Sequence, residues 1–508
     1  MKRILALFLA SLISFQSFAF CGFYVAKADV KLFNKTSQVI IAKNGESQTV
    51  TMSSDFEGDV KDFAMVVPVP VVLEEKDIRT VSRNLFDKLD TYSSPRLVEY
   101  YDEDPCYVPR DYDNVEVAMD MVQMAPMSMA DVATRTEELG VTVEAEYTIG
   151  EYDILILSAK ESGGLETWLI ENGYKMPVGA KEVLDPYIKT NMKFFVAKVN
   201  LGNYKSAGAV PLSPLQITYK SPKFMLPIRL GMANSNGVQD LIVYMYSKLG
   251  RIETTNYRTA LIPTDFKVPL FVQSEFGEFY RDLYNKAWKR EGKNVVFLEY
   301  AWEVSPMQNL FCDPCVGDPP MVADLKEAGV DWLESKGQDY HTGGNVYDGK
   351  VHFTRLHLTY DREHFPQDLM FQETPNKATF QGRYVLTHPA NGDFSCDKGQ
   401  TYIKDLGKRR WNELYTYQWL TGRDITAHYD YAKEYDSYLK DKTQKGTKQG
   451  SVIPFGEVDG LGHSGSNKDS MLVFFVSILS LFAVFFALSR KRSSNFDGAC
   501  PDERRGSV

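Results

Sequence analysis

Apolar residues recur along this chain with two periods, about two residues in some intervals and about 3.6 in others, and the alternation between them marks strands and helices in turn. Tyr24 to Phe33, Gln38 to Lys43 and Thr49 to Ser53 are rich in β-branched and aromatic residues. Asn34-Lys35 and Asn44-Gly45 separate them, which predicts a β-meander with its firmest turn at Asn-Gly. Phe63 to Val69 is a further, more apolar strand, and Ile78, Val81, Leu85 and Leu89 share one face of a helix expected over Asp77 to Asp90. Val141 to Ile149 and Tyr152 to Ala159 form a strand pair turning at Gly150, followed by a helix from Leu165 to Glu171. Helix Lys181 to Ile188 then leads into strand Met192 to Val199. Strands are expected at Leu215 to Tyr219, Met225 to Leu230, Leu241 to Tyr246, Asn294 to Trp302, Val351 to Tyr360 and Tyr384 to His388. Helices are expected at Glu275 to Trp288, Ala323 to Glu334 and Arg409 to Leu420, the last stopped by Gly422.

Strands and helices mixed without regular βαβ alternation predict an α+β protein with largely antiparallel sheets and flanking helices, arranged as two packed domains. Gly, Ser and Pro concentrate between Val199 and Pro214, so the expected domains are 20–200 and 214–440.

The two ends change the picture. Met1-Lys2-Arg3, an apolar run from Ile4 to Ile13 and the small pair Ser17 and Ala19 read as a signal peptide over residues 1–19. No charge occurs from Met471 to Leu488, a run that spans about 27 Å as a helix, close to the thickness of a bilayer core. Arg490-Lys491-Arg492 follows, which places the tail 489–508 in the cytoplasm and the body outside it. A processed sorting tail is the competing reading of this apolar helix. The polar, Lys-, Gly- and Ser-rich stretch 441–470 reads as a flexible stalk. The expected location is therefore a bacterial inner membrane, crossed once, with the body periplasmic or extracellular.

Hydrophobic residues at 44% and charged residues at 24% exclude extended disorder, and a net charge of −10 provides no field for nucleic acid. Cys312-Asp-Pro-Cys315 has the spacing of a thiol-redox pair, but Gly317 and Pro319-Pro320 prevent a helix from starting there, so a structural disulfide is the favoured reading. Cys21, Cys106 and Cys396 are further disulfide candidates, with the pairing open. Met119, Met121, Met124, Met127 and Met129 supply closely spaced thioethers suited to Cu(I). His341, His352, His357 and His364 crowd together, yet on a strand His352 and His357 point to opposite faces and cannot share a metal. Trp411, Tyr415 and Trp419 form a helical stripe suited to core packing. No Gly-x-Ser-x-Gly, His-Glu-x-x-His, Walker or dinucleotide fingerprint occurs.

Several stretches together resemble the bacterial domain of unknown function 2330 family. They are Cys21-Gly-Phe-Tyr-Val-Ala-Lys-Ala-Asp29, Asp62-Phe-Ala-Met-Val-Val-Pro-Val-Pro70, Tyr152-Asp-Ile-Leu-Ile-Leu-Ser-Ala159 and Cys312-Asp-Pro-Cys315. Thr354-Arg-Leu-His357, Phe365-Pro-Gln-Asp-Leu-Met-Phe-Gln372 and Phe380-Gln-Gly-Arg-Tyr-Val385 complete the set. The resemblance implies a bacterial, exported protein and transfers no catalytic residue. The expected function is a non-catalytic binding or envelope-structural module with an envelope protein as partner. An exported thiol-disulfide redox protein using Cys312 and Cys315, an extracytoplasmic hydrolase and a soft-metal binder are the alternatives.

Overall fold

The computed structural model describes residues 23–26, 33–34, 37–53, 56–57, 63–106, 140–172, 179–206, 212–233, 237–306, 317–338, 344–392 and 394–433. The chain divides by proximity into Met1–Asp441 and Lys442–Val508, and every described residue falls in the first unit. Among the described residues no helix is long and apolar enough to cross a membrane. The apolar run 471–488 lies outside them, as do the leader, the stalk and the tail.

The first strands are β1 (Phe23–Ala26), β2 (Ser37–Asn44), β3 (Ser47–Ser53), β4 (Phe63–Val69) and β5 (Ile78–Thr80). Helix α1 (Asn84–Ser93) and strands β6 (Arg96–Tyr101), β7 (Val141–Ile149) and β8 (Tyr152–Ala159) follow. Next come α2 (Ser162–Glu171), α3 (Ala180–Lys189), β9 (Lys193–Val199), β10 (Leu215–Lys220), β11 (Gln239–Ser247), β12 (Arg258–Leu261) and β13 (Phe266–Lys267). The principal remaining elements are α4 (Phe276–Arg290), β14 (Val295–Glu303), β15 (His352–Tyr360), β16 (Arg383–His388) and α5 (Asp397–Thr421).

Five strands form an antiparallel sheet in the order β1-β4-β9-β8-β7. A nine-stranded mixed sheet runs β12-β14-β15-β11-β2-β3-β10-β5, with Phe380–Gln381 pairing beside β14. Its β11–β2 and β12–β14 pairs are parallel and its other pairs antiparallel.

Strand period decides the layering. Leu241, Val243 and Met245 of β11 join Met65, Ile154 and Phe195 of the smaller sheet in one core between the two sheets. The alternate residues Ile242, Tyr244 and Tyr246 point to the other face, against Leu85, Phe86 and Leu89 of α1. Helices α2 and α3 cover the outer face of the five-stranded sheet, and α1, α4 and α5 lie beyond the larger one. The order of layers is therefore helix, sheet, sheet, helix. Fully buried side chains such as Phe195 and Leu358 contribute about 1.5–3 kcal/mol each through burial.

The expected boundary at residues 199–214 falls between β9 and β10. Strands from before it (β2, β3, β5) and from after it (β10, β11) interleave in the nine-stranded sheet.

Several elements depart from their periodic signal. The strand expected over Met225 to Leu230 shortens to Met225–Leu226, and β1 pairs with β4 in the smaller sheet, so it does not join β2 and β3 in a meander. Instead of one helix over Asp77 to Asp90, the chain forms β5 and then α1, because Ile78 and Thr80 pair with Ile217 and Leu215 at the sheet edge. Sheet hydrogen bonding outweighs helical period there. The helix expected over Ala323 to Glu334 ends at Glu327. Gly329 then takes φ +96°, and a Cβ at that point would lie 2.4 Å from Thr49 Cγ2, so only glycine carries the chain over β3. Helix α5 starts twelve residues before the expected Arg409, capped by Cys396.

Candidate functional site: a buried ionic network

On the outer face of the nine-stranded sheet, β15 places Phe353, Arg355, His357 and Thr359 in one row under α1 and α4, while His352 belongs to the opposite row. Glu299 enters from β14 where its register with β15 slips by one residue, between Leu298 and Tyr300. That bulge directs a carboxylate to a place apolar side chains would otherwise fill. Glu299 is completely buried.

Its two oxygens are divided between two cations. Arg355 Nε donates to Oε2 at 2.7 Å, and His357 Nδ1 stands 2.6 Å from Oε1. The Tyr280 hydroxyl from α4 also donates to Oε1. His357 Nε2 meets Asp240 Oδ1 at 3.0 Å, and the Thr359 hydroxyl donates to the same oxygen at 2.9 Å. Arg355 Nη1 reaches Asp90 Oδ1 on α1 at 2.7 Å, and Tyr244 donates to that oxygen at 2.9 Å. Tyr284 of α4 stacks on the His357 ring with centroids 4.2 Å apart.

Carboxylates flank both nitrogens of His357, so both are donors and the ring is an imidazolium. Burial lowers its pKa, but Glu299 and then Asp240 overcome this and raise it to about 10. Burial likewise raises Glu299, yet the charges of His357 and Arg355 hold it at about 2. Arg355 is raised above its usual value, burial being outweighed by Tyr244, Glu299 and Asp90. The network thus holds two cations among three carboxylates. Neither imidazole nitrogen is left as a base, and the arrangement acts as a brace joining α1, α4 and three adjacent strands.

Two smaller clusters tie down other layers. Asp368 accepts from Arg229 Nε and Nη2 at 3.0 and 2.7 Å, from the Tyr187 hydroxyl at 2.6 Å and from the Ile228 amide at 3.0 Å. Asp102, just after β6, binds both terminal nitrogens of Arg409 on α5 at 3.0 and 2.5 Å and accepts from the Tyr402 hydroxyl at 2.7 Å. Beside this clamp Cys106 and Cys396 form a disulfide.

Among the residues singled out from sequence, Cys21, Cys312, Cys315, His341 and Met119, Met121, Met124, Met127 and Met129 lie outside the described residues. His364 pairs with Asp361 at the turn after β15, apart from the network. Trp411 is buried in the α4–α5 core, with Tyr415 and Trp419 packed against it. No group of three or more potential metal ligands occurs among the described residues.

Sequence reasoning missed Glu299, Arg355, Asp240 and Asp90. A signal was present: Arg355 and His357 lie two apart on one face of the strand expected over Val351 to Tyr360, and Glu299 interrupts the apolar run Val295 to Trp302. Charges at strand spacing inside a buried strand require partners of opposite sign.

No curated protein and no solved structure matches the chain. Residues 15–372 match the model of a family described as an uncharacterized protein conserved in bacteria, and that match includes Asp90, Asp240, Glu299, Arg355 and His357. With well over half its length matched, the chain belongs to the domain of unknown function 2330 family.

Proposed function

We propose that this chain is a membrane-held, extracytoplasmic binding or envelope-structural module that works through its surface and not by turnover. The observation that carries this reading is the closure of the Asp240-His357-Glu299-Arg355-Asp90 network: its imidazole and guanidinium groups are committed to carboxylates of the same chain. General acid–base chemistry needs a group free to exchange its proton with a substrate. The Cys106–Cys396 bond supports an oxidising compartment, where such bonds persist. The leader 1–19 and the apolar run 471–488 support single passage through an inner membrane with a cytoplasmic tail. The partner is an envelope protein, and Cu(I) at Met119 to Met129 is a separable binding activity of the same module.

The test has two arms. Phosphatase fused after Lys433 should be active outside the cytoplasm, and fused after Val508 inactive; the reverse pattern overturns the placement. Purified chain incubated with envelope glycans, peptides and esters should turn none of them over. Turnover that vanishes in a folded His357→Gln variant overturns the non-catalytic reading.

A further inference from the structure

Cys396 occupies the N-cap of the 25-residue helix α5, and its sulfur accepts the Gly399 amide hydrogen at 3.2 Å. A side chain at Gly399 would lie 2.6 Å from the Phe394 carbonyl oxygen, so glycine is what lets the chain before Cys396 fold over the first turn. Helix N-termini lower the pKa of a cysteine and stabilise its thiolate. Cys106 ends the described stretch 63–106, and its own amide donates to Asp104 Oδ1 at 2.9 Å. The helix end therefore favours Cys396 as the leaving sulfur.

Contacts that do not involve the sulfurs also join the flanking segments. Strand β6 pairs in parallel with β16 over six residues, and the Asp102 amide donates to the His388 carbonyl at 3.0 Å. The Asp102–Arg409 and Asp102–Tyr402 contacts fasten the same segment further along α5. Both cysteines are partly exposed.

We propose that Cys106–Cys396 is a reversible thiol-exchange site, whose co-reactant is a dithiol and whose Cys396 sulfur is the group released and, after reduction, the nucleophile. A thiolate of the dithiol attacks Cys106 Sγ, forming a mixed disulfide as the Cys396–Cys106 bond breaks with its electron pair on Cys396. The second thiol, deprotonated, attacks the partner sulfur of the mixed disulfide, and Cys106 leaves as a thiolate that takes up a proton. Two electrons pass to this chain, and the dithiol becomes a disulfide. The faster-leaving sulfur is the one with the lower pKa, which selects Cys106 as the point of attack.

The full-length chain is equilibrated in buffers of reduced and oxidised glutathione, alkylated and read at the Cys106 and Cys396 peptides by mass spectrometry. The bond should open and reclose as the ratio is varied, with the near-ultraviolet circular dichroism preserved. A bond that stays closed at every ratio, or opens only with loss of that signal, overturns the proposal. In the C106S and C396S chains, alkylation at pH 7 should be about threefold faster at Cys396 than at Cys106, a tenfold gain in thiolate offset by reduced nucleophilicity. Equal rates, or a faster Cys106, likewise overturn it.

Discussion

Replacing Glu299 by glutamine removes the one charge that both buried cations share. The carboxylate accepts from Arg355, His357 and Tyr280, and an amide of nearly equal volume can serve those donors through one oxygen only. Folding raises His357 from 6.5 to about 10, which corresponds to about 5 kcal/mol. It lowers Glu299 from 4.5 to about 2, which corresponds to about 3 kcal/mol. These two figures view one interaction from its two ends and are not added. The smaller governs, because the His357 figure also contains Asp240, whose side chain is 34% exposed and screened by water. Glu299→Gln should therefore cost about 3 kcal/mol, at the lower end of the range for removing one partner of a buried ion pair.

Urea unfolding of the full chain in detergent at pH 6, followed by tryptophan fluorescence, measures that loss. The pH dependence supplies a second reading. In the parent chain the His357 contribution is complete below pH 6.5 and disappears as pH rises through about 10. The Glu299 contribution is complete above pH 4.5 and disappears as pH falls through about 2. In the glutamine variant the alkaline loss should shrink, since His357 keeps only Asp240 as a counter-charge. A cost under about 1 kcal/mol with an unchanged alkaline limb would refute the network as a stabilising brace.

Other substitutions probe other layers. Asp368→Ala strands the Tyr187 hydroxyl and the Ile228 amide and should lower stability by about 3 kcal/mol in the same unfolding assay; a loss within 0.5 kcal/mol, about what a plain surface change gives, would contradict it. Gly329→Ala combines φ +96° with a close approach to Thr49 and should cost more than about 1 kcal/mol, read as a lowered thermal midpoint. Asp102→Asn weakens the clamp on Arg409 and should slow reclosure of the Cys106–Cys396 bond after reduction, measured by timed alkylation; an unchanged rate would separate clamp from disulfide.

Local pattern carried much of this architecture. Period-two runs placed β7, β8 and β9 within a residue or two, Asn44-Gly45 marked the turn between β2 and β3, and Gly422 marked the end of α5. Local pattern failed where distant chain supplied the deciding partner. Ile78 is helical by spacing but extended because Ile217 offers it a ladder, and α5 begins early because a polar first half with little periodic signal is capped by Cys396. The ionic network could not be assembled from sequence for the same reason: Asp90, Asp240, Glu299 and His357 come from four separate elements. Composition and local period are short-range properties and were readable in the residues themselves. Which charge neutralises which is a question of distance in space, and only the packing of α1 and α4 onto the nine-stranded sheet answered it.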